Sequence, residues 1–131
     1  MSQIESAEQK IKKYQQAAIT NISKNGMLLE YIEQQTPEMC FSAVRATPLA
    51  LRHVKQCASE EIYMQICITA IETIFADRST DYTTQAFSDD SVRSEAYIDM
   101  HKCINNSFLS QENYFKVLQT LKIIDTLAKR R

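Results

Sequence analysis

The chain is poor in the residues that make sharp, irregular backbone. Its 131 residues include one glycine, Gly26, two prolines, Pro37 and Pro48, and no tryptophan. Sheet-rich domains need many glycine turns and helical ones few, so the shortage favours an all-α fold before any periodicity is considered. A single glycine also excludes a Gly-rich phosphate-cradling loop. No apolar run approaches the roughly 18 residues of a membrane span. The opening segment MSQIESAEQKIKK lacks the apolar stretch of a secretory leader. The cysteines, Cys40, Cys57, Cys67 and Cys103, form no C-x-x-C pair. They read as reduced thiols that pack as small hydrophobes in a cytoplasmic protein.

Strong charge of either sign is also missing. The net charge is -1, and the chain as a whole gives no sign of nucleic-acid binding. The distribution is less even. The first 26 residues carry four lysines against Glu5 and Glu8. Residues 76–100 carry Asp77, Asp81, Asp89, Asp90, Glu95 and Asp99 against Arg78 and Arg93. The chain closes on Lys129-Arg130-Arg131.

What is present is helical periodicity with clear punctuation. Ser2 and Glu5 have capping-box spacing, and Ile4, Ala7, Ile11, Tyr14, Ala18 and Ile22 then recur as one apolar stripe. Gly26 suits a left-handed C-terminal cap of that helix. A repeat follows at an offset of 22. Met27, Leu29, Ile32 and Gln34 match Leu49, Leu51, Val54 and Gln56, while Ala18 and Ile22 match Cys40 and Val44. Thr36-Pro37 and Thr47-Pro48 each read as a helix start, because threonine caps well and proline lacks an amide that the first turn leaves unbonded anyway. Ser59, with Glu60 and Glu61, opens a third long helix whose buried face is Ile62, Ile66, Cys67, Ala70, Ile71, Ile74 and Phe75. Residues 77–88 lose periodicity and read as a loop. Ser88 then caps a helix with Val92, Ala96, Ile98 or Asp99, and Cys103 along its apolar side. Asn105-Asn106-Ser107 breaks that helix, and Ser110 opens the last one, with a stripe of Tyr114, Val117, Leu118, Leu121, Ile124, Leu127 and Ala128.

Candidate chemistry is sparse. His53 and Cys57 are four apart, as on one helix face, but no third or fourth ligand groups with them, so no metal and no cofactor is expected. A cysteine nucleophile needs an adjacent base that the spacing does not supply. Glu60/Glu61 and Asp89/Asp90 stand at helix starts, where the dipole accounts for them. No catalytic residue is expected. The aromatic residues of the acidic stretch are different. Tyr82, Phe87 and Tyr97 lie among Asp77, Asp81, Asp89, Asp90 and Glu95. Rings among carboxylates suit a surface that grips a basic protein. The same rings would equally serve to pin the loop to the core.

The stretch Thr36-Pro37-Glu38-Met39-Cys40-x-x-Ala43-Val44-x-x-x-Pro48-x-Ala50-Leu51-x-x-Val54, with its lead-in from Asn25-Gly26, resembles a bacterial and viral short-repeat family with the pattern T-P-E-[IL]-C-x-x-A-V-x-x-[ND]-[GP]-x-A-L-x-x-V. The likeness covers residues 25–57 and implies stacked helical pairs, with no activity attached and no catalytic residue to transfer.

These readings predict a single all-α domain over residues 1–131 with six or seven helices. A repeat array spans residues 15–76, a loop 77–88 and two closing helices 89–131. The expected function is protein binding rather than catalysis. The expected form is a stoichiometric inhibitor, such as an immunity protein that covers a bacterial toxin, possibly a basic nuclease. Asp77, Asp81, Tyr82, Phe87, Asp89, Asp90, Glu95 and Tyr97 would form the contact. Two alternatives are a phage-type inhibitor of a bacterial defence complex and nucleic-acid binding by the basic C-terminal helix.

Overall fold

A computed structural model describes residue 4, residues 6–77 and residues 94–129. All regular structure among the described residues is helical. The α-helices are α1 (Ala7–Ile22), α2 (Pro37–Ala46), α3 (Glu60–Asp77), α4 (Glu95–Cys103) and α5 (Gln111–Lys129). Short 3-10 turns are interleaved: η1 (Gly26–Tyr31), η2 (Pro48–His53) and η3 (Asn106–Phe108). None of the described helices is long and apolar enough to cross a membrane.

The first half is a ladder with the 22-residue offset. Helix α1 packs on α2, α2 on α3, and α3 on α5, while η1 and η2 pack on each other. Two offset pairs occupy the same depth: Leu29 and Leu51 are buried, as are Ile22 and Val44. Both 3-10 turns begin at the same point of the repeat, Gly26 and Pro48. Neither unit covers its own apolar face, and stacking buries both. Tyr63, Ile66, Cys67, Ala70 and Ile71 of α3 are completely buried at the centre. The Tyr63 hydroxyl accepts the Asn105 amide at 2.8 Å, and its ring lies 4.9 Å from that of Phe108, which hooks η3 over α3.

The two Thr-Pro pairs differ. Thr36 caps its helix, accepting the Met39 amide at 3.2 Å with Pro37 in the first turn. Thr47 makes no cap bond to its own turn. Its hydroxyl accepts the Gly26 amide at 3.0 Å and so joins one repeat unit to the other. The segment that follows Thr47 is a six-residue 3-10 turn rather than a second α-helix.

Gly26 is also placed for a different reason from the one the sequence suggests. No residue among those described, glycine included, has a positive φ. A Cβ on Gly26 would stand 2.1 Å from the Ala43 carbonyl oxygen and 2.9 Å from Thr47 Cβ. Close approach of two backbones, not a left-handed cap, demands glycine here.

Helix α1 opens later than its apolar stripe implies. Its capping box is Ser6–Gln9, with both reciprocal bonds made; Ser2 and Glu5 lie outside the described residues. Only the C-terminal part of the stripe is covered. Ile22 is buried, and Ala18 and Ile19 pack on the core, but Ile11 is 56% and Tyr14 70% exposed. The cause is length: α1 has 16 residues and α2, its neighbour, has 10.

Helix α4 is capped by Ser94, whose hydroxyl accepts the Tyr97 amide at 3.1 Å. Ser88 and Val92 lie outside the described residues. Its buried side is Ala96, Met100 and Cys103, and Ile98 is turned outward. The starts of α3 and α5 are tied together. Glu60 accepts the Ser110 amide, and Ser110 in turn accepts the Asn113 amide at 3.2 Å. The bond from the Ser110 amide, with others from the Asn113 and Ser110 side chains, holds the Glu60 carboxyl below its usual range. Glu60 therefore does more than complement a helix dipole.

Candidate functional site

The expected contact residues divide by position. Asp77 is the last residue of α3. Glu95 is exposed in the first turn of α4. Tyr97 is half-buried against the core, its ring 6.0 Å from the His101 ring. Asp81, Tyr82, Phe87, Asp89 and Asp90 lie outside the described residues.

The described residues that bracket the segment 78–93 meet the same part of α5. Before it, Glu72, Phe75 and Ala76 of α3 line a groove of about 280 Å³ with Ile124, Leu127 and Ala128. After it, the Ser94 hydroxyl donates to Asp125 at 2.5 Å. Asp125 is fully buried within the apolar stripe of α5. A buried polar side chain needs hydrogen bonds to offset lost hydration, and the α4 cap supplies one. Sequence reasoning missed Asp125 because periodicity assigns its depth but no partner.

The outer face of α5 carries the apolar residues that the core does not use. Phe115, Ile123 and Leu127 are 58%, 52% and 60% exposed. Leu127 was expected in the buried stripe, but it sits on the rim where α3 ends. Ile123 and Leu127, with Gln119, Lys122 and Thr126, line a second shallow groove of about 390 Å³. The strip is bordered by Gln119, Lys122 and Thr126 of the same helix.

The repeat junction is built for rigidity. Gln35 is buried, and its amide donates to the Leu29, Ile32 and His53 carbonyls at 3.2, 3.1 and 2.8 Å. Its side-chain oxygen accepts the Lys55 amide at 2.8 Å and a weak bond from Cys40 Sγ at 3.8 Å. Gln56 in turn donates to the Gln35 carbonyl at 3.2 Å. One side chain thereby stitches η1 to the end of η2. His53 closes η2, whereas Cys57 lies in the irregular stretch before α3, so the two share no helix face. The His53 Nε2 atom is buried without a hydrogen-bond partner.

All four thiols are free. Burial pushes Cys40 and Cys67 up to about 12, with the nearby Cys57 thiol adding to both. Burial raises Cys57 and Cys103 as well. A thiol held protonated is a poor nucleophile and a poor metal ligand. Among the described residues, no three histidine, cysteine or carboxylate side chains group as metal ligands. No protein family, curated protein or solved structure matches the chain.

Proposed function

We propose that this chain is a protein-binding module that works by occupying its partner rather than by turnover. The observation that carries the reading is the α5 face. Three large apolar side chains stand exposed there, and the described residues that bracket the acidic stretch, Ala76 and Ser94, meet the same helix. Apolar anchors ringed by charge supply affinity at the centre and steering at the rim. The sign of that charge calls for a basic partner. The form we favour is a stoichiometric inhibitor, an immunity-type protein that covers the site of a basic toxin such as a nuclease. Free, buried thiols fit residence in the reducing cytoplasm.

The test is reconstitution with a panel of basic toxin nucleases. We expect a 1:1 complex that silences the toxin. Replacing Ile123 and Leu127 together by Glu should weaken it by about 30-fold or more, as loss of a central anchor does. Neutralising Asp89 and Asp90 should slow association and flatten its salt dependence. A chain that binds no basic protein, or whose α5 variants inhibit unchanged, removes the proposal.

A further inference from the structure

The first two turns of α1 form a second surface at the other end of the ladder. In the repeat, Pro37–Val44 of α2 corresponds to Gln15–Ile22 of α1. Everything in α1 before Gln15 is therefore additional, and α2 is too short to reach it. That overhang exposes Ile11 and Tyr14 on the same face whose later members, Ala18 and Ile22, are packed. Lys10 and Glu8 stand on its two sides and Lys12 and Lys13 on its back, all exposed. None of the three lysines has a carboxylate within ion-pair distance among the described residues. Helix α1 packs on α2 and η1, and α2 and α3 separate it from α5.

We infer that the overhang, Ala7–Tyr14, is a docking helix that inserts into an apolar groove with an acidic rim on another protein. Three considerations select that occupant. The apolar anchors fall at the three- and four-residue steps by which a helix fills a groove. Around them three lysines stand against the single Glu8, so the complementary rim carries net negative charge. A second copy fits poorly. Two turns are roughly 12 Å of helix, and pairing two such faces buries far less than the ~1,200 Å² of a stable dimer. It would also bring six lysines together. The contact is accordingly a weak one, in the micromolar range that small interfaces give. Together with the α5 face, it makes the chain bivalent, with surfaces of opposite charge preference at its two ends.

The test uses the full chain, with calcium-loaded calmodulin as a defined acidic-rimmed groove, read by fluorescence anisotropy. We expect 1:1 binding at micromolar concentration. Ile11→Glu or Tyr14→Ser should weaken it at least tenfold, as should reversal of Lys10, Lys12 and Lys13 to Glu. The Ile123→Glu/Leu127→Glu variant should bind as the parent does, which separates this inference from the α5 reading. Far-UV circular dichroism and urea midpoints should stay unchanged, because the substituted side chains are exposed. Absence of binding, or binding indifferent to Ile11 and Tyr14, overturns the inference. So does a dimer in sedimentation that Ile11→Glu dissolves, which would make a second copy the occupant. Partition onto vesicles containing 30% phosphatidylserine that Ile11→Glu abolishes would make the occupant a membrane.

Discussion

Replacing Gly26 by Ala tests the packing of the two repeat units with the smallest possible probe. The added carbon would lie 2.1 Å from the Ala43 carbonyl oxygen and 2.9 Å from the carbonyl carbon of the same residue. Both atoms belong to the backbone of α2, which cannot rotate away. The chain must part by more than 1 Å, and the Gly26 amide then loses the Thr47 hydroxyl at 3.0 Å. Overpacking costs about 1–3 kcal/mol, and a buried donor left unpaired adds about 1–3 kcal/mol. A total near 4 kcal/mol is a large share of a typical domain's stability. With a urea slope of about 1.5 kcal/mol per molar, the midpoint should fall by roughly 2.5 M. Gly26→Asn discriminates between the two readings of this glycine. A left-handed cap tolerates Asn nearly as well as Gly, whereas a close backbone contact rejects it as firmly as Ala. A urea midpoint for either variant within about 0.3 M of the parent would refute the reasoning.

Other outcomes follow from the same geometry. Gln35→Ala leaves the Lys55 amide and the carbonyl of His53 without their partner and should cost about 2–3 kcal/mol in urea unfolding. Gln35→Glu, which turns three donor contacts into repulsive ones, should cost more at neutral pH than at pH 4. Ser94→Ala and Asp125→Ala should each destabilise, and a double-mutant cycle should return a coupling of about 0.5–3 kcal/mol. Iodoacetamide at pH 8 should label Cys57 first, since the other three thiols are buried; peptide mass spectrometry reads the order. The raised thiols also set an alkaline limit. The unfolded chain releases thiol protons from about pH 8.5 upward, and the native state keeps those of Cys40 and Cys67 until about 12. Stability is therefore full below about pH 8.5 and declines above it by about 1.4 kcal/mol per pH unit for each thiol. Cys40→Ala should lessen that slope.

Local chemistry made much of this fold legible in the sequence. Thr36-Pro37, Ser59 and Ser110 act within a turn of themselves, so their helix starts could be read directly. The 22-residue offset placed Leu29 with Leu51 because equivalent positions of a ladder meet equivalent neighbours. Features that depend on a partner distant in the chain were not legible. Thr47 looks like Thr36 but spends its hydroxyl on Gly26, and Gly26 looks like a cap but is a contact. Ile11, Tyr14 and Leu127 continue good stripes, yet they lie beyond the ends of the helices that would cover them. Periodicity reports which face is apolar, not how long the neighbour is. The same limit hid the Ser94–Asp125 bond, whose members are 31 residues apart. Of the expected contact residues, Glu95 is exposed and Tyr97 is half-buried against the core.

Hydrogen exchange on the chain in the presence of a basic toxin that it inhibits addresses the central claim most directly. The account predicts new protection over residues 115–127 of α5 and the start of α4, and none in the buried centre of α3, which is slow already. Protection confined to the α2–α3 side of the ladder, or no change along α5, would contradict it.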